Sequence, residues 1–236
     1  MHRFFVAPEA LRGDRVTLTG AQARQIATVL RLRAGDEIAL VADGAEAVVA
    51  LEAVRATSVT AVVRERGFTP AEPSVALTLA LPVLRGDHDE EVVEAVTQLG
   101  VSRIVPFTSA RSVVKSLSDA KRTRWERIAR EAAETARRGR VPAIEPARAW
   151  ADLFATLPSP VLVAWESERR TRLRDALPQG GARTVSLVIG PEGGIAEAEI
   201  ALARERGALT VSLGARNLRS ETAAIAAVAL AMDRLS

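Results

Sequence analysis

Residues 184–224, TVSLVIGPEGGIAEAEIALARERGALTVSLGARNLRSETAA, set two glycine-bearing turns at the ends of two apolar strands. The first run, 185–189, enters Gly190-Pro191-Glu192-Gly193-Gly194. The second, 209–213, enters Gly214-Ala215-Arg216-Asn217-Leu218-Arg219 and then Ser220-Glu221-Thr222. Both runs are short, continuous and rich in β-branched residues, the pattern of parallel strands buried on both faces. Residues 196–206 between them read as a helix stopped by Gly207. Strand, turn, helix, strand is therefore the expected parse, with both turns at the carboxyl ends of neighbouring strands, where open α/β sheets bind their ligands.

A chain of 236 residues, 48% hydrophobic and 26% charged, has room for one large or two small domains. No run approaches the length of a membrane span, and the segment Met1-His2-Arg3-Phe4-Phe5 lacks the apolar core of an export signal. Without cysteine, disulfides and thiolate chemistry are excluded, and a metal site would rest on His2, His88 and carboxylates, so none is expected. The net charge of +3 conceals a segregation: residues 103–148 carry 12 basic and 5 acidic side chains. Such a segment is the electrostatic footprint of a polyanion partner, because phosphate contacts supply most sequence-independent affinity for nucleic acid. Solvated arginine-rich helices would leave the same trace, and the chain has only two lysines, Lys115 and Lys121, among its basic residues.

Residues 1–70 alternate as β structure does, over 15–19, 37–42, 47–54 and 58–64, with Asp43-Gly44 as a hairpin signal. Residues 21–30 read as a helix with Ile26, Val29 and Leu30 on one face and Thr19 as its cap. This predicts a small β-barrel with one helix, whose exposed cations are Arg3, Arg31 and Arg33. Two prolines and a glycine within 67–73 mark a linker. Beyond it strands and helices alternate: 75–81, a helix over 87–99, 103–107, a helix over 118–138, then 161–165. That rhythm predicts βαβ units and a mainly parallel sheet. Trp125, Ile128, Ala132 and Thr135 share the inward face of the long helix, which should stop near Gly139. The last helix, 221–235, carries Ile225, Val228, Ala229 and Met232 on one stripe, to be covered by its own sheet or by a second copy.

The first turn lacks both GK[ST] and GxGxxG. Glycine admits close approach of bare backbone and proline stiffens the loop, while Glu192 disfavours a phosphate there; an adenine edge or a sulfonium suits such a turn, as does a purely structural role. The motifs VIGPEGG and SLGARNLRSETA, with RFF at the amino terminus, VLRLRAGD at 29–36 and EAAETARRGRVP at 131–142, together resemble the RsmE family of 16S rRNA uridine N3-methyltransferases in the SPOUT superfamily. The resemblance spans essentially the whole chain. It implies a PUA-like β-barrel over 1–70, a SPOUT methyltransferase domain over 74–236 with a deep trefoil knot, a cytoplasmic homodimer without a membrane or metal requirement, and S-adenosylmethionine as donor.

Carried over by position, the resemblance places the donor among Glu166, Ile189, Gly190, Glu192, Gly193, Gly194, Ser212, Leu213, Gly214 and Leu218. It implies that Arg219 and Glu221 carry the chemistry, and that Arg3, Arg31, Arg33, Arg111, Arg122, Arg137 and Arg138 hold rRNA. Thr135 and Gln98 stand where the family usually has glutamine and glutamate. Methylating uridine N3 requires loss of the N3 proton from an unpaired base. Arg219 would donate to a uracil carbonyl, while Glu221 orients it or accepts the proton; a capping carboxylate in the first turn of the last helix is the competing role for Glu221. Two other readings stand beside this one: a SPOUT enzyme acting on tRNA or on ribose, and a non-catalytic RNA-binding assembly factor.

Overall fold

The computed structural model describes residues 1–179 and 183–235. The chain forms two compact units, Met1–Glu72 with Ala133–Arg140, and Pro73–Ala132 with Val141–Ser236. In the first unit, β1 (His2–Phe5), β2 (Arg15–Thr19), α1 (Gly20–Arg24), β3 (Glu37–Ala42), β4 (Ala45–Val54) and β5 (Ser58–Phe68) form a five-stranded sheet in the order β1-β3-β4-β5-β2. Asp43 and Gly44 both adopt positive φ, 48° and 87°, and close the β3–β4 hairpin as their sequence predicts. The strand β1, which composition did not single out, runs parallel to β3. Phe4, Ile26, Ile38, Leu40 and Val49 are fully or almost fully buried in this unit's core.

The helix expected over 21–30 is shorter. After α1 the backbone widens into a π-helical turn over Gln25–Val29, Thr19 makes no side-chain cap, and Val29 is 70% exposed rather than inward. A π turn shifts the side chains that follow off the α-helical stripe: Ile26 is buried and Leu30 packs partly buried against the same core, while Val29 turns outward.

The second unit is built on β6 (Ala76–Pro82), α2 (His88–Gln98), β7 (Arg103–Thr108), α3 (Asp119–Thr135), β8 (Ala143–Ile144), β9 (Arg148–Ala149), α4 (Trp150–Leu153), β10 (Val161–Ala164), α5 (Leu173–Ala176), β11 (Thr184–Ile189), α6 (Glu197–Glu205), β12 (Leu209–Val211) and α7 (Ser220–Leu235). Every strand pairing here is parallel, in the order β12-β10-β11-β6-β7-β8, with β9 also on β7. The sequence expectation of a parallel α/β sheet holds, with one correction: β11 and β12 are not neighbours. β10 lies between them, so three carboxyl-end turns, not two, converge at this edge.

Two aliphatic layers flank the sheet. One joins Leu77, Leu79, Val92, Val96, Trp125, Leu187, Ala224 and Val228; the other joins Phe107, Trp150, Phe154, Val163, Val188 and Ile200. On α3 the buried positions are Trp125, Ala129, Ala132 and Ala133, whereas Thr135 is exposed. The helix ends before Gly139 because Arg137 turns left-handed at φ 56°. On α7 the buried stripe is Ala224, Ala227, Val228, Ala231 and Met232, while Ile225 and Ala229 are only half-buried. No helix among the described residues is long and apolar enough to cross a membrane.

Candidate active site

The turns after β10, β11 and β12 line a cavity of about 1100 Å³. Its walls include Glu166, Gly190, Gly194, Gly214, Leu218 and Glu221, and all ten positions expected to meet the donor belong to the lining. A hydrogen bond ties two of the turns: Ser220 Oγ, nearly buried, donates to the Gly190 carbonyl over 2.8 Å. Inside the first turn Gly194 N donates to Pro191 O at 2.8 Å.

The glycines of this turn answer to their protein neighbours. A Cβ at Gly190 would meet Ile195 Cγ1 at 2.9 Å, one at Gly193 would meet Arg111 O at 2.9 Å, and one at Gly194, where φ is +72°, would collide with Glu166 Oε1. Close approach of bare backbone is indeed their use, but the approaching groups are the protein's own: Ile195 just past the turn, Arg111 in the loop after β7 and Glu166 in the turn after β10. Gly214 is different: φ is +119° and only Arg216 Nη2, at 3.9 Å, comes near, so its backbone faces open space in the cavity wall. Ser212 Oγ accepts from Gly214 N at 3.2 Å and fixes that turn.

Carboxylates and arginines both line the cavity, and Glu166, Glu192 and Arg219 are exposed. The Glu166 carboxylate lies against Gly194 and receives no hydrogen bond from the described residues. Glu192 Oε1 accepts the backbone N–H of Arg85 at 3.1 Å, so this carboxylate, expected to face a donor, holds a loop. Arg219 is 83% exposed at its side chain and stands 3.9 Å from Glu221, which is 18% exposed. The two residues implied for the chemistry are thus side by side at the rim.

Several anchoring groups escaped the sequence reading. Glu168, two residues beyond Glu166, accepts the N–H groups of Arg169, Arg170 and Thr171 at 3.0, 2.8 and 3.3 Å and the hydroxyl of Thr210 at 2.7 Å. The Arg170 amide first, then the Thr210 hydroxyl, hold its carboxyl down from 4.5 to about 2. Arg204 approaches the same carboxylate at 3.6 Å and stacks over Trp165 at 5.4 Å. Glu199 accepts Ala196 N at 3.1 Å and Ala110 N at 2.8 Å, fastening the loop after β7 to the start of α6. Its spacing, three residues after the helix cap, is the one visible sequence signal among these.

The arginines implied for RNA fall into two groups. Arg31, Arg33, Arg111 and Arg137 are exposed, Arg111 donating to Gly193 O at 3.3 Å. Arg122 is half-buried and pairs with Glu126 at 3.2 Å. Arg3 and Arg138 correct the expectation of a surface cluster. Arg3 is bidentate to Glu46 at 3.0 and 2.9 Å with its side chain only 10% exposed. Arg138 is 1% exposed and pairs with Glu72, which also accepts Gly139 N and Arg140 N. Both spend their guanidinium donors inside the first unit, because a buried cation requires a carboxylate partner. Among the described residues no cluster of His, Asp and Glu suits a metal ion.

Residues 70–232 match the family model described as RNA methyltransferase domain, and the chain belongs to that family. Curated relatives are the ribosomal RNA small subunit methyltransferase E of Bacillus subtilis strain 168, 31% identical over 97% of this chain and 94% of that protein, and of Synechocystis, 33% identical over 97% and 76%. Among solved structures, the ribosomal RNA small subunit methyltransferase E of Neisseria gonorrhoeae bound to S-adenosyl methionine is 28% identical with a TM-score of 0.88, over 97% of this chain and 95% of that one. Within the wider class, the chain is a member of the ribosomal RNA small subunit methyltransferase E family.

Proposed function

We propose that this protein is an S-adenosylmethionine-dependent methyltransferase acting on N3 of a uridine near the 3′ end of 16S rRNA, in the decoding region. The observation that carries the reading is the single cavity wall formed by the turns after β10, β11 and β12, in a chain of this family. The residues fit the donor. Gly214 offers open backbone, Ile189, Leu213 and Leu218 offer apolar surface, and the carboxylate of Glu166, without a hydrogen bond from the described residues, suits a cationic group. When bound, S-adenosylmethionine supplies an electrophilic methyl group on a sulfonium.

The chain's own residues perform the remaining tasks. Arg219, exposed at the rim, donates to a carbonyl oxygen of an unpaired uracil and stabilises the imide anion left when the N3 proton departs. Glu221, in the first turn of α7, holds Arg219 in place or accepts that proton. Arg31, Arg33, Arg111, Arg122 and Arg137 hold the rRNA backbone, so affinity falls with salt.

In this reading residues 74–236 form a SPOUT domain with a deep trefoil knot and 1–70 a PUA-like barrel. The knot reading is supported by two contacts of the chain leaving β12, Ser212 bridging to Arg172 in the segment after β10 and Ser220 bonding Gly190 in the turn after β11. The enzyme acts as a cytoplasmic homodimer, for which Ala226, Ala229 and the half-exposed Leu230 supply an uncovered apolar face on α7.

Titration with S-adenosylmethionine, followed by labelled methyl transfer to purified small subunits and to tRNA, tests the reading. Binding with transfer to small subunits alone is expected. Transfer to tRNA, or binding without transfer, would replace it with one of the two competing readings.

A further inference from the structure

Three consecutive residues of the loop between β6 and α2 are each fastened by an ionised side chain. Leu84 N donates to Asp89 Oδ2 at 3.2 Å, Arg85 N to Glu192 Oε1 at 3.1 Å, and Gly86 O accepts from Lys121 Nζ at 2.9 Å. Lys121 closes the set with an ion pair to Asp89 at 2.8 Å. These anchors come from α2, from the turn after β11 and from α3, three separate parts of the second unit.

Such fastening is costly. Asp89 is fully buried, and burial pushes its carboxyl above the ordinary range against the opposing pull of Lys121. Trp125 Nε1 lies toward the carboxyl and draws it down a little, yet neither it nor Asp89 Oδ1 reaches good hydrogen-bond geometry. A fully buried carboxylate with one oxygen unsatisfied is poor stabilisation, since an apolar side chain of similar volume would do as well or better. What the arrangement does secure is the position of one residue. Arg85 is exposed, lines the cavity, and its guanidinium has no hydrogen bond or ion pair with the described residues.

We propose that Arg85 is a substrate-contacting residue that takes an RNA phosphate at the mouth of the cavity, with Glu192, Asp89 and Lys121 as positioning residues that hold it there. The proposal rests on the RNA methyltransferase reading. The cavity, at about 1100 Å³, exceeds the ~300–1,000 Å³ that encloses a drug-sized ligand, so it has room for a donor and part of a nucleotide. A guanidinium whose backbone is already fixed beside that room meets a phosphate at the cost of its side-chain freedom alone. Glu192 then has a second consequence: the turn that faces the donor and the loop that faces the RNA are bonded to each other.

The test uses the full-length protein, with donor affinity by titration and methyl transfer to small subunits across a salt series. The unaltered protein is measured first, and absence of binding or transfer there would end the methyltransferase reading itself. Arg85→Gln is expected to raise the KM for subunits at least about tenfold, the loss of one charge-assisted bond. It should also lower the salt slope by about 0.7, one phosphate contact on a single strand, with donor affinity unchanged within twofold. Glu192→Ala should raise the same KM without changing donor affinity, and Glu192→Gln, which keeps an acceptor for Arg85 N, should restore it. An unchanged KM and salt slope in Arg85→Gln would overturn the proposal. A Glu192→Ala variant that loses donor affinity while keeping its KM for subunits would do so as well.

Discussion

The Ser220 hydroxyl bonds the Gly190 carbonyl over 2.8 Å, although the two residues are 30 positions apart and follow different strands. The bond makes one wall out of two turns. Because Ser220 is also the first residue of α7, the residues beside it, Arg219 and Glu221, inherit their placement from the same contact.

Ser220→Ala should therefore weaken S-adenosylmethionine binding about three- to tenfold, the usual ~0.5–1.5 kcal/mol of a neutral hydrogen bond. Ser220→Thr, which keeps the hydroxyl, should recover most of it. Calorimetric titration of the three proteins checks this, and equal affinities would show the bond to be incidental to the site.

Arg219→Ala should lower kcat by about 100-fold or more while donor affinity stays within threefold, because the guanidinium acts on charge that develops only during transfer. Single-turnover transfer at saturating donor is the measurement. A variant retaining most of its rate would remove Arg219 from the chemistry and leave its pairing with Glu221 as a surface contact.

Glu168 gives a pH signature. Its folded carboxyl titrates at about 2, below the ordinary 4.5, so the ionised form is the one the fold favours. Its contribution is fully present above pH 4.5 and is lost as pH falls from there towards 2. Wild type should exceed Glu168→Gln by about 1–2 kcal/mol in denaturant unfolding at pH 7, and the gap should close as pH falls from 4.5 towards 2. A gap independent of pH would mean the carboxylate is not what holds the turn after β10.

Glu72→Ala should destabilise the first unit by about 3 kcal/mol or more, since it strips the acceptor from a guanidinium that is 1% exposed and from two backbone N–H groups. Arg138→Ala should likewise show its main effect in thermal unfolding. If Arg138→Ala instead kept its melting temperature and lost only RNA affinity, the residue would be a surface contact after all.

These cases mark what the sequence can and cannot reveal. The parallel sheet, the Asp43-Gly44 hairpin, the helix ending at Gly207 and the two glycine turns of the cavity were readable, because periodicity and glycine placement are local signals. The insertion of β10 between β11 and β12 was not, since strand order depends on connections that leave no local trace. The direction of a charged side chain was equally hidden. Arg137 and Arg138 are adjacent in the chain, yet one is exposed and the other enclosed, and what separates them is the left-handed turn at Arg137 and the presence of Glu72 some 66 residues upstream of Arg138. Glu192 was expected to meet the donor together with its turn; the Arg85 amide shows where one oxygen of its carboxylate is committed.

The central claim is tested most directly by the identity of the methylated nucleoside. Small subunits lacking the modification, incubated with the protein and S-adenosylmethionine, would be digested and their nucleosides resolved by mass spectrometry against standards. The account predicts one 3-methyluridine per subunit, mapping near the 3′ end of 16S rRNA. A 2′-O-methylated ribose, a methylated base other than uracil, or no methylation by a protein that binds the donor would contradict it.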